Sequence, residues 1–231
     1  MAKILFVVTG SDHWTLADGT KHPSGYWAEE VVAPYQAFRE AGHEIVVATP
    51  RGVLPTLDQG SLAPQFNGGQ EGADRVAAGL TAMTELRSPV KVEDVDLDAY
   101  AAVFYPGGHG PMEDLAISAA SGSLLVRTLD SGKPLGLVCH GPAALLSAAR
   151  DDGSHAFAGY RITGFTNTEE SQSGFAERAR WLLQDRLVEV GAEFQEGTPW
   201  APYVVVDRNL VTGQNPASAA PLAQELLKKL I

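Results

Sequence analysis

The chain has 231 residues, 45% of them hydrophobic, which is enough to bury a sizeable core within one domain spanning residues 1–231. Its 28 acidic and 17 basic residues give a net charge of −11 with no cluster of Lys and Arg, which argues against nucleic acid or an anionic membrane surface as a partner. A single cysteine forms no internal disulfide. Met1 to Gly10 is too short and too quickly polar for a signal peptide or membrane helix, so a cytoplasmic protein is expected.

Strands and helices alternate along the chain. Ile4 to Val8 reads as a buried strand and Ser11 to His22 as a polar loop. Ser24 to Ala41 has a helical pattern ended by Gly42, with Trp27, Val31, Tyr35 and Phe38 on one stripe. Glu29 points away from that stripe and Glu30 lies at its edge, so two adjacent and chemically identical residues are assigned different environments. Pro34 lacks the N–H that would bond the Glu30 carbonyl, and a local kink or freed carbonyl is expected there.

His43 to Thr49 is a second strand. Between Pro50 and about Val90 the pattern weakens, and only Ala73 to Leu86 looks helical, so this stretch reads as an insertion able to shape a pocket. Ala101 to Tyr105 is a third strand, and the Gly107-Gly108-His109-Gly110 turn after it can aim backbone N–H groups at an oxyanion. Ile117 to Asp130 is a helix. Leu135 to Val138 reads as a strand buried on both faces, followed by a sharp turn at Cys139 and a helix opened by Pro142. Beyond it lie a short strand within Tyr160 to Phe165, an amphipathic helix over Phe175 to Val190, a hairpin around Asp207-Arg208-Asn209, and a closing helix from about Ala217 to Leu230. The pattern predicts an α/β fold, a doubly wound and mainly parallel sheet with helices on both faces.

In such a sheet, ligands bind outside the carboxyl ends of the strands. Three features converge there: Glu30, the Gly107 to Gly110 turn and the Cys139 elbow. Cys139 occupies the position of a nucleophile elbow, where an exposed thiolate is expected, favoured by the new helix's N–H groups. Glu30 is a carboxyl group able to carry a proton, and the N–H groups of Gly108 and His140 are the expected oxyanion donors. Glu30 should lie within hydrogen-bonding reach of the sulfur, with Glu29 pointing elsewhere. Desolvation and the neighbouring thiolate should raise the Glu30 pKa.

The Val138-Cys139-His140-Gly141-Pro142 elbow, paired with an inward Glu on the first helix, resembles the ThiJ/PfpI superfamily. That family has a flavodoxin-like fold related to class I glutamine amidotransferases. Gly25-Tyr26-Trp27-Ala28-Glu29-Glu30, Gly107-Gly108-His109-Gly110, Ile162-Thr163-Gly164-Phe165-Thr166 and Val211 to Ser218 resemble its heat-shock chaperone and glutathione-independent glyoxalase branch.

The resemblance implies Cys139 as nucleophile, Glu30 as the carboxylate bonded to it, and His140 as partner imidazole. The third triad member falls at Glu170 by the family's spacing, with Glu169 beside it and not separated from it by the sequence. The implied reaction converts methylglyoxal or a related 2-oxoaldehyde to D-lactate or the matching 2-hydroxy acid. Its partner is a small aldehyde, and a homodimer is expected. No organic or redox cofactor is implied. The scattered His13, His22, His43 and His155 show no ligand spacing, so no metal is predicted. A redox-responsive holdase, a protein deglycase or another cysteine hydrolase on the same elbow are the competing readings.

Overall fold

The computed structural model describes residues 1–230. Apolar Ile4 to Val7 lead off in β1 (Lys3–Val7), which ends in a short hairpin, β2 (His13–Thr15) and β3 (Lys21–Pro23). Then come α1 (Ala28–Glu40), β4 (Glu44–Thr49), α2 (Gln70–Ala82), β5 (Val90–Lys91), β6 (Ala102–Tyr105), α3 (Gly110–Glu113) and α4 (Ala119–Asp130). After β7 (Leu135–Val138) the chain forms β8 (Arg161–Ile162), α5 (Asn167–Gln172), α6 (Leu183–Glu189) and β9 (Glu193–Phe194). The hairpin β10 (Val204–Asp207) and β11 (Leu210–Gly213) and the helix α7 (Ala219–Lys229) close the chain.

Seven strands form one sheet in the order β10-β11-β7-β6-β1-β4-β5, parallel except for the β10 edge. The chain steps from β1 to β4 on one side and returns to β6 on the other. Right-handed crossovers running in opposite directions put α1 and α4 on opposite faces, and α7 packs beside α1. Both faces being covered explains why β1, β6 and β7 read as continuous apolar runs rather than alternating ones. The reversal of direction beside β1 leaves a crevice at the carboxyl ends of β1, β6 and β7.

Several local expectations are corrected. Ser11 to His22 is not only loop, because Trp14 pairs with His22 in the β2–β3 hairpin and is buried. The segment after Cys139 is a tight 3-10 turn, Gly141–Ser147, and not an α-helix. Phe175 to Leu182 is irregular, and only Leu183–Glu189 of that amphipathic pattern is helical. Phe175 is instead held against Trp14 and His22, an arrangement that a local period cannot express. β8 pairs with β9 outside the main sheet. The stretch from Pro50 to Val90 holds 3-10 turns and α2, and α1 runs on through Pro34 as one helix.

Phe38 anchors α1 to the sheet, with its ring meeting Phe6 at 5.9 Å and Phe104 at 6.4 Å, both near edge-on. It is fully buried. Phe38→Ala should therefore cost about 3–5 kcal/mol of stability, read as a lower urea midpoint with an unchanged slope.

Candidate active site

The sharp turn out of β7 is made by Cys139 itself, which adopts φ 59, a left-handed conformation that a non-glycine residue rarely takes. Two backbone bonds hold it there: Cys139 N–H donates to the Gly213 carbonyl at 2.9 Å, and its own carbonyl accepts from Phe165 N–H at 2.8 Å. The side chain is only 3% exposed, at the floor of a pocket, whereas the elbow argument expects an exposed thiolate. Burial, followed by the nearby Glu30 charge, raises the thiol well above its ordinary pKa. The 3-10 turn that follows supplies too few aligned peptide dipoles to offset this.

Glu30 has no exposed surface, while Glu29 beside it is partly exposed. Glu30 Oε2 accepts a 2.6 Å hydrogen bond from Gly107 N–H, and Oε1 has no conventional partner among the described residues. The carboxyl and the Cys139 thiol shift each other's ionisation, but the expected hydrogen bond between them is not formed among the described residues: Oε1 is unpartnered and Sγ faces His140 Nδ1. Desolvation pushes the Glu30 pKa up to about 8, against the lowering contacts from Cys139 and Gly107. Glycine is required at 107, because a Cβ there would stand 2.7 Å from both Glu30 Oε2 and His140 N.

Glu169 and Glu170 are both buried and serve different partners. Thr166 caps α5 in a capping box with Glu169, a pattern legible in the sequence as Thr166-Asn167-Thr168-Glu169 and missed there. Glu169 then gathers donors from Trp200 N–H, Gln214 Nε2 and Asn215 Nδ2, all on Oε1. It ties the Trp200 and Gln214-Asn215 loops to α5. The next residue, about 100° further round the helix, faces the site. Glu170 Oε2 lies 2.7 Å from His140 Nε2, and His140 Nδ1 lies 3.4 Å from Cys139 Sγ. Burial alone would raise Glu170, but the imidazoles on its two oxygens outweigh it and hold the carboxyl well below the usual range.

The second imidazole belongs to His109, which sequence reasoning quoted only as part of a turn. Its Nε2 lies 2.9 Å from Glu170 Oε1, and its ring stacks on Trp14 with centroids 4.2 Å apart and planes within 5°. No local pattern signals this, since the partners come from β2 and α5. The ligand-type atoms of His109, His140 and Glu170 lie within 4.8 Å of one another, and both rings already engage Glu170 through Nε2. None of His13, His22, His43 and His155 joins a cluster of three such groups among the described residues.

The N–H groups of Gly108 and His140 bond no protein oxygen among the described residues, which leaves both available to an anion beside the sulfur. Gly108 has φ 88, and a Cβ would collide with the Gly25 carbonyl, so the donor's direction depends on glycine. The pocket above Cys139 has a volume of about 610 Å³ and an aromatic rim of Trp27, Phe66, Phe165, Phe175 and Trp200. Phe66 comes from the Pro50 to Val90 insertion, which thus walls the site.

A doubly wound sheet with a cysteine elbow facing a buried Glu across a Gly-Gly turn defines a recognisable class, and residues 23–229 match the DJ-1/PfpI family. The chain belongs to that family. It is 29% identical to glyoxalase 3 of Candida albicans over 98% of both chains. It is also 29% identical to the glutathione-independent glyoxalase of Saccharomyces cerevisiae, over 94% of this chain and 93% of that one. Among solved structures, the 24 kDa rapid encystment protein of Francisella tularensis superposes with a TM-score of 0.87 at 28% identity, covering 100% of both chains. Glyoxalase III of Candida albicans superposes with a TM-score of 0.82 at 27% identity, over 99% of this chain and 97% of that one.

A buried acid with a raised pKa leaves a thermodynamic mark. Between its ordinary value of 4.5 and about 8, the folded protein holds a proton on Glu30 that the unfolded chain has released, so stability falls as pH rises through that window. Above it the buried charge opposes folding in full. Glu30→Gln removes the charge and keeps an acceptor for Gly107. Its gain over the parent should therefore grow from near zero at pH 5 to a few kcal/mol at pH 9, rising by about 1.4 kcal/mol for each pH step of one inside the window. Paired denaturant melts at the two pH values measure it, and a gain independent of pH would mean that Glu30 is not the titrating group.

Proposed function

We propose that this protein is a glutathione-independent glyoxalase, converting methylglyoxal or a related 2-oxoaldehyde to D-lactate or the matching 2-hydroxy acid. Formally it would be a lyase of the D-lactate dehydratase type. The observation that carries the reading is the fully buried Glu30 carboxyl, its pKa pushed up to about 8 by burial, near the only cysteine and beneath a pocket where the N–H groups of Gly108 and His140 bond no protein oxygen among the described residues. The full-length likeness to proteins named glyoxalases supports the same chemistry. The expectation of a cytoplasmic homodimer belongs to this reading.

In the reaction, His140 Nδ1 takes the thiol proton as Cys139 Sγ adds to the aldehyde carbon. The new oxyanion rests on the N–H groups of Gly108 and His140 and takes the proton held by Glu30, which gives a hemithioacetal and leaves Glu30 as a carboxylate. The Glu30 carboxylate, whose pKa near 8 lets it both release and accept a proton, removes the hydrogen from the former aldehyde carbon while the His140 imidazolium protonates the neighbouring carbonyl oxygen, which gives an enediol. Glu30 returns that proton to the neighbouring carbon while the hydroxyl on the sulfur-bearing carbon gives its proton to His140, which yields a 2-hydroxy thioester. Water then attacks the thioester, releases the 2-hydroxy acid and restores the thiol. Oxidation of one carbon and reduction of its neighbour cancel, so thiol, imidazole, carboxyl and water suffice for the balance.

With methylglyoxal and no glutathione, the purified protein should form D-lactate, and Cys139→Ser should abolish turnover. Glu30→Gln should lower kcat about 100-fold or more, while Glu29→Gln should cost little. Equal losses at positions 29 and 30, or full activity in Cys139→Ser, would overturn the assignment.

A further inference from the structure

We propose that His109 is a positioning residue that holds His140 as an uncharged base toward Cys139, by taking one oxygen of the Glu170 carboxylate on which both imidazoles rest. The inference rests on the proposed role of Cys139 as the reacting group, and extends it to a residue with no contact to the sulfur.

The geometry divides a single carboxylate between two rings. Glu170 Oε1 faces His109 Nε2 at 2.9 Å, and Oε2 faces His140 Nε2 at 2.7 Å. An ionised carboxylate only accepts, so each ring must present an N–H at Nε2, and that places the lone pair of neutral His140 on Nδ1, the atom 3.4 Å from the sulfur. The tautomer needed to receive the thiol proton is therefore set by Glu170, and the competition for its charge is set by His109.

The two rings have centroids 4.2 Å apart on one anion, so His140 is disfavoured from taking a positive charge beside the second ring. His140 is buried, and its pKa is lowered first by that burial and next by His109, against the opposing pull of Glu170 and Glu169. The other ionisable groups around it are Cys139 itself and Glu30, which faces the sulfur from α1. On its far side His109 stacks on Trp14 and meets the ring of Phe175, which in turn meets His22. The β2–β3 hairpin thus fixes the ring that the carboxylate is shared with. His109 itself is a pocket wall, and its side chain is only 12% exposed.

Removing the competitor should leave Glu170 to His140 alone. His140 would then protonate more readily and draw Cys139 toward a thiolate–imidazolium pair, which lowers the apparent thiol pKa. Because Cys139 is the only cysteine, alkylation by iodoacetamide reads that ionisation without ambiguity and without any glyoxalase turnover. A protein inactive on methylglyoxal would thus sink the proposed function and leave this measurement standing.

The experiment compares the pH profile of Cys139 alkylation in the parent protein, His109→Phe and His109→Gln. Phe keeps a flat ring for Trp14 and loses the N–H. Gln keeps a neutral N–H donor for Glu170. The inflection should fall by about one pH unit or more in His109→Phe and stay within about half a pH unit of the parent in His109→Gln. An unchanged or raised inflection in His109→Phe, or an equal fall in both variants, overturns the proposal. A measurement on the unmodified protein guards against a variant that fails to fold: at pH 7 the 15N signals of His140 should be those of the neutral Nε2–H tautomer. An imidazolium signal overturns the proposal on its own.

Discussion

A carboxyl group with no exposed surface is costly to leave charged, and the site around Cys139 is organised by how the protein houses Glu30. One oxygen is tied down by Gly107 N–H, which demands a glycine after β6. The other is left without a conventional partner at the one place where a thiol stands ready. Burial pushes the Glu30 pKa up to about 8 and so favours the neutral acid, whereas an ionised Glu30 would repel a thiolate. Thiol, acid and Gly-Gly turn are thus mutually dependent, although they come from three different strand ends.

The same division of labour appears in two pairs of adjacent glutamates. Glu29 and Glu30, and again Glu169 and Glu170, differ by one helical step and by their whole environment. In each pair a helix turns one carboxyl toward the group around Cys139 and His140 and the other elsewhere. Glu169 collects the donors of the Trp200 and Gln214-Asn215 segments, so the loops over the pocket and the acid behind His140 are set by neighbouring residues of one short helix. Trp200 is held there at φ 64, a strained conformation maintained by its bonds to Glu169 and Gln172.

Much of this was legible in the residues. Continuous apolar runs ended by Gly or Cys marked the buried parallel strands, because covering both sheet faces removes the alternation. The wheel over α1 separated Glu30 from Glu29, because the helical period alone decides which side chain turns inward. The hydrogen-bonded capping box would have separated Glu169 from Glu170 by the same means. Where the pattern misled, tertiary packing had overridden it. Phe175 left its amphipathic helix for the company of Trp14 and His22, and the turn after Cys139 tightened into 3-10 geometry.

The sequence by itself determined the strand–helix alternation, the elbow at Cys139 and the inward face of Glu30, since these follow from local periods and from residues that tolerate only certain backbone angles. The tertiary structure alone decided that the thiol is buried with a raised pKa and that His109 shares the Glu170 carboxylate with His140. Desolvation and charge sharing depend on which distant segments close over a group. Trp14, His109 and Glu170 lie far apart along the chain, and no local period relates them.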